Sequence, residues 1–238
     1  MSNDALELIN KAKSQARSDA IWNFISKNLK IILRLLIVLA VAVVIFIGYS
    51  VYQKSAEEKF SAMLHQSLVS QQIGEMEKSK EQLKNIVESN AAPSGVKSLA
   101  SLRYAAFLLE ENKRSEAEKI YSDVNKCRSC DDYVSDLAGL LLVRLWMLDE
   151  AEMQKADLIH RISKIEGKAT VLKNHIAEQR AMLELYKNNL AEAYKIFEKI
   201  NKDSAASQAL KSRVQSAMKI VISRGFEAKS EENSVEKK

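Results

Sequence analysis

The sequence predicts an all-α protein in which one transmembrane helix precedes a solenoid of helical hairpins. Composition favours helix throughout, since the 238 residues include one proline and six glycines and are rich in Ala, Leu, Lys and Glu. No alternating β-branched run is long enough to build a sheet. The third observation is a single uncharged apolar stretch, Leu35 to Val51, near the amino terminus.

This stretch predicts a membrane-spanning helix with ends at Ile31 and Val51. A helix needs about 20 largely apolar residues to cross a hydrocarbon core of about 30 Å. Arg34 would oppose insertion by about 3 kcal/mol at a helix centre, whereas the twelve Leu, Ile, Val and Phe residues of Leu35 to Val51 favour it by roughly 4–7 kcal/mol. Arg34 also lies near the end of the span, where a long side chain reaches the headgroups.

The flanking charges predict the orientation of the span. The Lys and Arg residues before it are Lys11, Lys13, Arg17, Lys27, Lys30 and Arg34. After it, Lys54 and Lys59 are offset by Glu57 and Glu58. This asymmetry favours a cytoplasmic amino terminus, so we expect a single-pass protein whose carboxy-terminal domain lies on the outer side of the membrane.

A cleaved signal peptide is the alternative interpretation of the apolar stretch. Gly48 and Ser50 form a small-x-small pair of the kind that precedes a cleavage site. However, the apolar run exceeds the roughly 7–15 residues of a signal core, and the segment before it is unusually long. We therefore interpret the stretch as a retained anchor.

Length and charge divide the remaining chain and limit its partners. We expect a cytoplasmic leader at 1–30, the transmembrane helix at 31–52, one domain at 53–226 and a disordered tail at 227–238. Beyond residue 52 the chain carries 30 Lys and Arg against 28 Asp and Glu. This balance provides no basic stripe, so we expect protein and lipid-bilayer partners and no nucleic acid.

The elements around the span follow from periodicity and breakers. Residues 4–20 could form a cytoplasmic helix with Leu6 and Ile9 on one face. Few apolar residues recur on that face, which favours a solvated, partly disordered leader over a docking segment. The membrane helix is expected to continue to Gly74, because Phe60, Leu64 and Leu68 recur every four residues. A second amphipathic helix should follow from Met76, and Pro93 should open the next one after a turn.

Two later segments repeat one pattern. In 104–124 and 180–200, a small residue (Ala105, Ala181) is followed twelve positions on by another alanine and four further on by Tyr121 or Phe197. A polar turn at Asn112 or Asn188 interrupts each copy. Small residues let the two helices of a hairpin approach closely, and the aromatic ring fills the gap to the next hairpin. This is the tetratricopeptide pattern, which buries its apolar faces only by stacking.

The two copies leave room for one degenerate unit between them. Tyr133 to Leu148 is predicted to form a buried central helix, in which the run from Leu140 to Leu148 is core or, alternatively, a surface for a partner. Met153 to Ile165 should form its partner. Ala205 to Ser223 should form a terminal helix that covers the open end of the stack.

The whole arrangement resembles the YfgM-type family of ancillary subunits of the SecYEG translocon. The resemblance depends on the anchor, on EEKF after it, and on the segments SLRYAAFLLEENKRSEAEKIY and AEQRAMLELYKNNLAEAYKIF. It implies a location in a bacterial inner membrane, with the carboxy-terminal domain in the periplasm. It also implies contact with a SecYEG-type channel and with a membrane-anchored periplasmic chaperone, in the handling of exported proteins. The alternative in the same class is an anchored adaptor of a division or secretion complex.

The resemblance also implies a peptide groove along the inner helices of the hairpins. Its candidate residues are Leu102, Ala106, Leu109, His175, Glu178, Met182, Leu185 and Tyr186. The other interpretation is that these positions are ordinary surface.

Cys127 and Cys130 form the only chemically suggestive motif in the sequence. We expect a structural disulfide in an oxidising periplasm, and leave open free thiols, a shared metal contact or a tethered thiol oxidoreductase. No phosphate loop or nucleophile elbow occurs. We therefore expect a protein that is not an enzyme and has no cofactor, catalytic residue or metal ligand.

Overall fold

The computed structural model describes residues 2–227, with side chains at positions 28, 30, 33–34 and 37–227. The described residues form ten α-helices and no strand, which confirms the all-α prediction. The helices are α1 (Ser2–Gln72), α2 (Met76–Glu88), α3 (Ser94–Glu110), α4 (Arg114–Asn125), α5 (Asp132–Met147), α6 (Glu150–Gln154), α7 (Leu158–Lys168), α8 (Lys173–Tyr186), α9 (Leu190–Lys202) and α10 (Gln208–Ser223). The chain comprises two compact units, Met1–Ala56 and Glu57–Lys238.

Helix α1 confirms one expectation and corrects another. It continues to Gln72, and Gly74 ends it in the left-handed region at a φ of 83°. The N–H of Glu75 donates to the carbonyl of Ser70 at 2.8 Å, which closes the last turn. The prediction of a partly disordered leader at 4–20 is wrong, because these residues belong to α1. The leader contains several Ala, Leu and Lys residues and has no glycine or proline to interrupt a helix.

The repeated positions pack as their spacing predicts. Helices α3 and α4 form one hairpin and α8 and α9 form another. The positions common to both are Ala105 and Ala181, Ala117 and Ala193, and Tyr121 and Phe197, and none is more than 3% exposed. Helix α2 packs against α3 at one end of the series, and α10 packs against α9 at the other. The predicted terminal covering helix is therefore present.

The two hairpin turns have the same geometry. Asn112 and Asn188 each adopt a φ of 61°, which asparagine tolerates better than most residues with a side chain. The next amide in each turn donates back across the helix end, from Lys113 to Leu108 and from Asn189 to Glu184, at 2.8 Å in both. The polar turns therefore end the first helix of each pair and start the second.

The middle unit differs from the prediction in its second half. The expected single helix from Met153 to Ile165 is two helices, α6 and α7, separated by residues 155–157. Within this break, the carbonyl of Lys155 accepts hydrogen bonds from Lys187 Nζ at 2.9 Å and from the Leu158 amide at 3.4 Å. The predicted core run of α5 is buried at Leu140, Leu142, Val143, Leu145 and Trp146, but Leu148 is 80% exposed because it lies beyond the helix end.

The stack has two hydrophobic clusters that share one helix. The first joins α3, α4, α5 and α7 with Ile176 and Leu183 of α8. The second joins α9 and α10 with Ala177, Ala181 and Leu185 of α8. Opposite faces of α8 therefore belong to different clusters, as expected where each helix pair is covered by its neighbours.

Candidate protein-binding face

The first helices of successive pairs lie in one row. Helix α3 contacts α5, α5 contacts α8, and α8 contacts α10. The predicted groove residues come from α3 and α8, the two helices on either side of α5 in this row. Packing between neighbouring helices of this row therefore determines which of those residues remain accessible to another protein.

On α3 the predicted residues divide between core and surface. Leu102 is buried in the first cluster, so it is not available to line a groove. Leu109 is half-buried and packs against the same cluster, whereas Ala106 is exposed. Leu99, which sequence reasoning did not single out, lies about two turns before Ala106 and is 44% exposed. The exposed stripe of α3 is thus offset by part of a turn from the predicted one.

On α8 the exposed groove residues lie one turn apart. Met182 and Tyr186 are 41% and 43% exposed, and the Tyr186 hydroxyl accepts a hydrogen bond from Gln154 Nε2 at 3.1 Å. His175 is half-buried. Leu185 is buried in the second cluster, so the structure does not place it in an open groove.

Glu178 is also interior, and it is used to join two helices. Both of its carboxylate oxygens accept hydrogen bonds from Arg213 of α10, from Nε at 2.9 Å and from Nη2 at 2.8 Å. This pair raises the pKa of the Arg213 guanidinium above its ordinary value. Leu102, Glu178 and Leu185 are therefore structural in this fold, and the accessible part of the predicted groove is Ala106, Met182 and Tyr186, with Leu109 and His175 partly covered.

Leu148 is an exposed residue that the sequence interpretation missed. It follows α5, directly before Asp149, whose carboxylate accepts a hydrogen bond from the Glu152 amide and so begins α6. The signal was present in the sequence, because an acidic capping residue after a long apolar run marks a helix boundary. Leu148 therefore lies just after α5, the helix between α3 and α8 in the row.

Cys127 and Cys130 form a disulfide in the loop between α4 and α5, with their Cα atoms 5.5 Å apart. The same loop is attached to the start of α3, because the Ser94 hydroxyl donates to the carbonyl of Ser129 at 2.9 Å. Within the described part of the chain, no group of three His, Cys, Asp or Glu residues is placed to hold a metal ion.

The short helix beside Tyr186 contains a carboxylate that should make local stability depend on pH. Ion pairs with Lys155 and Arg161 hold the pKa of the Glu152 carboxyl below its ordinary value of 4.5. Such a group stabilises the fold above its ordinary pKa, and this contribution is lost as the pH falls through the folded-state value. We expect Glu152→Gln to lower the urea midpoint at pH 7 and to have a diminishing effect between about pH 5 and pH 3.

Glu150→Gln is the matched control, since Glu150 is an exposed residue in the same helix with no ion pair among the described residues. Its urea midpoint should follow that of the wild type throughout the same pH range. A Glu152→Gln effect that stays constant from pH 7 to pH 3 would show that the ion pairs contribute nothing to the acid dependence.

Stacked helix pairs with one row of first helices define a helical-repeat protein. A family model described as a tetratricopeptide repeat-like domain matches residues 23–156, more than half of the chain, so the chain belongs to this family. The second copy of the repeat, α8 and α9, follows the matched residues. The comparison with curated proteins found no match, and the comparison with solved structures found none. Domains of this kind are typically non-catalytic and mediate protein–protein interaction.

Proposed function

We propose that this chain is a membrane-anchored scaffold that binds other proteins through its helical stack. The single observation that carries the proposal is the apolar segment of α1 beside a repeat domain. Ile37–Gln72 is long and apolar enough to cross a membrane, and its most apolar window has a mean hydropathy of 1.9 with none of its residues buried. Val44, Ile45 and Phe46 are each at least 66% exposed, which in water would leave a large apolar surface uncovered.

The proposed protein has four segments, and its charges determine the proposed orientation in the membrane. The anchor extends from Ile31 to Val51, with residues 1–30 cytoplasmic, residues 53–226 as the periplasmic domain, and 227–238 as a tail whose last eleven residues lie outside those described. The Lys and Arg excess before the anchor supports this orientation. Confinement to the membrane raises the effective concentration of the domain near membrane-bound partners.

The particular role that the sequence supports best is that of a YfgM-type subunit at the translocon. A SecYEG-type channel and a membrane-anchored periplasmic chaperone are then the partners, and exported proteins are the clients. The accessible residues Ala106, Met182 and Tyr186 are the surface through which we expect contact. Recognition alone is sufficient for this role, so the chain needs no cofactor.

Site-specific photo-crosslinking in native bacterial membranes tests the proposed role. A photoreactive residue at Met182 or Tyr186 should give crosslinks to translocon subunits, identified by mass spectrometry. The same residue at Lys195, an exposed position on α9 and so outside the row of first helices, is the matched control and should not. Crosslinks to division or secretion proteins would favour the adaptor alternative, and equal crosslinking from all three positions would overturn the proposed face.

Protease protection tests the orientation separately. Protease added to intact spheroplasts should digest the domain after the anchor and leave the leader protected. Complete protection of the domain would overturn the periplasmic assignment.

A further inference from the structure

A cavity of about 280 Å³ opens between α4, α5 and α7. Helices α3 and α8 contribute no residue to its lining, so it is separate from the face that carries Ala106, Met182 and Tyr186. Leu142 of α5 and Ile165 of α7 form its apolar floor, and both are less than 8% exposed. The cavity therefore combines an apolar floor with walls that are formed by α4 and α7.

One end of the cavity is closed by a network in which opposite charges are paired. The Arg161 guanidinium lies 4.0 Å from the centre of the Trp146 ring, and the Trp146 Nε1–H donates to Glu118 Oε1 at 2.7 Å. Arg161 also pairs with Glu118 at 3.4 Å and with Glu152. These contacts hold Arg161 in place, so this end is a rigid wall with little charge to offer a ligand.

The other end of the cavity is strongly positive. It is lined by Lys126, the residue that follows α4, and by Lys164 and Lys168 of α7, and all three are exposed. Lys164 and Lys168 are four residues apart and so project from the same side of α7. Among the described residues, no carboxylate lies within ion-pair distance of any of the three. Three cations held around an apolar floor attract a ligand that carries both carboxylates and an apolar group.

We propose that this cavity binds an acidic segment of a partner protein. Glutamate or aspartate side chains pair with Lys126, Lys164 and Lys168, while an adjacent apolar side chain lies on Leu142 and Ile165. The cavity has room for about one or two side chains, which suits an extended segment that crosses between α4 and α7. This inference needs only the folded domain and does not depend on the proposed sidedness or on a translocon role.

A peptide fits these features better than a nucleic acid does. Single-stranded nucleic acids bind where bases stack on aromatic faces along a basic groove. Trp146 is 6% exposed and its face is already covered by Arg161, so it offers no stacking platform. The near balance of charge beyond residue 52 also provides no long basic track.

The binding test uses the full chain in nanodiscs of zwitterionic lipid. The probe is a short fluorescein-labelled peptide of alternating glutamate and leucine, and its control has glutamine in place of glutamate. Fluorescence anisotropy should show binding of the first peptide, weakened by salt, and little binding of the second. Replacing Lys126, Lys164 and Lys168 together with glutamine should weaken binding about tenfold or more.

A matched triple variant removes the same charge elsewhere. Lys119, Lys199 and Lys219 are exposed, lie outside the cavity, and should change the affinity by less than about twofold when replaced with glutamine. Both triple variants should retain the wild-type circular dichroism, because they alter surface side chains only. Absence of binding, or an equal loss in both triple variants, would overturn the proposal. So would oligothymidine or phosphatidylglycerol vesicles that bind more tightly than the peptide with the same lysine dependence, since they would assign the cavity to a nucleic acid or a lipid.

Discussion

Replacing Asp136 with alanine is expected to lower the free energy of unfolding of the helical stack by about 3 kcal/mol. Asp136 lies in α5 and is 5% exposed. Its Oδ2 atom accepts hydrogen bonds from the amides of Thr170 at 2.9 Å, Val171 at 2.7 Å and Leu172 at 2.9 Å. These amides lead directly into α8, so one carboxylate fixes the start of that helix. Alanine would leave all three donors without their acceptor, and water can replace it only in part.

Urea unfolding of the detergent-solubilised chain measures this effect, followed by Trp146 fluorescence in a Trp22→Phe background. Asp136→Asn should lose less, about 1–2 kcal/mol, because one oxygen remains to accept hydrogen bonds while the charge is gone. Asp132→Ala is the control, since Asp132 is exposed in the first turn of the same helix. If Asp136→Ala cost no more than Asp132→Ala, the three hydrogen bonds would not stabilise the stack.

Substitution of Gly139 should give the second large effect. A Cβ atom at this position would lie 2.6 Å from Asn125 Nδ2 and 2.7 Å from Ile165 Cγ2. Neither neighbour can move freely, because Asn125 Nδ2 donates to the Ser135 carbonyl at 3.0 Å and Ile165 is buried. We expect Gly139→Val to lower the free energy of unfolding by about 3 kcal/mol and Gly139→Ala by about 1 kcal/mol, after the gain in helix propensity.

Gly167 provides the opposite expectation in a neighbouring helix. It lies in α7, and apart from its chain neighbours and the backbone of its own helix no atom is within 4 Å of where its Cβ would be. Gly167→Ala should therefore raise the urea midpoint, because it increases the free energy of unfolding by up to about 1 kcal/mol. The two alanine substitutions should change the free energy of unfolding in opposite directions. A change in the same direction for both would contradict the close approach of α4, α5 and α7 at Gly139.

The parts of the fold that could be predicted from sequence are those set by local spacing. One spacing, of twelve and then four residues, is enough to place two hairpins. It joins Ala105, Ala117 and Tyr121 in the first and Ala181, Ala193 and Phe197 in the second. Helix ends marked by Gly74, Asn112 and Asn188 were also visible, because those residues tolerate a positive φ. Such signals depend only on residues within a turn or two of each other.

The parts that could not be predicted depend on distant partners. Glu178 looks like a surface residue in its own helix, and it is interior only because Arg213, thirty-five positions away, pairs with it. The break between α6 and α7 likewise involves Lys187, the residue that follows α8. The cavity lysines come from α7 and from the end of α4, which the stack brings together. Periodicity within one helix contains no information about these contacts, so the groove was predicted with three residues that are in fact buried.

The position of α8 between two hydrophobic clusters has a consequence for how the protein is made. A chain emerges from the ribosome amino terminus first, so the leading repeats are complete while the carboxy-terminal ones are still missing. During that interval Ala177, Ala181 and Leu185 have no covering helices, because α9 and α10 are synthesised last. Premature termination after Tyr186 would leave these apolar residues permanently exposed to solvent. Such truncated products should be preferred substrates for cellular proteolysis, whereas in the full-length chain α9 and α10 cover these residues.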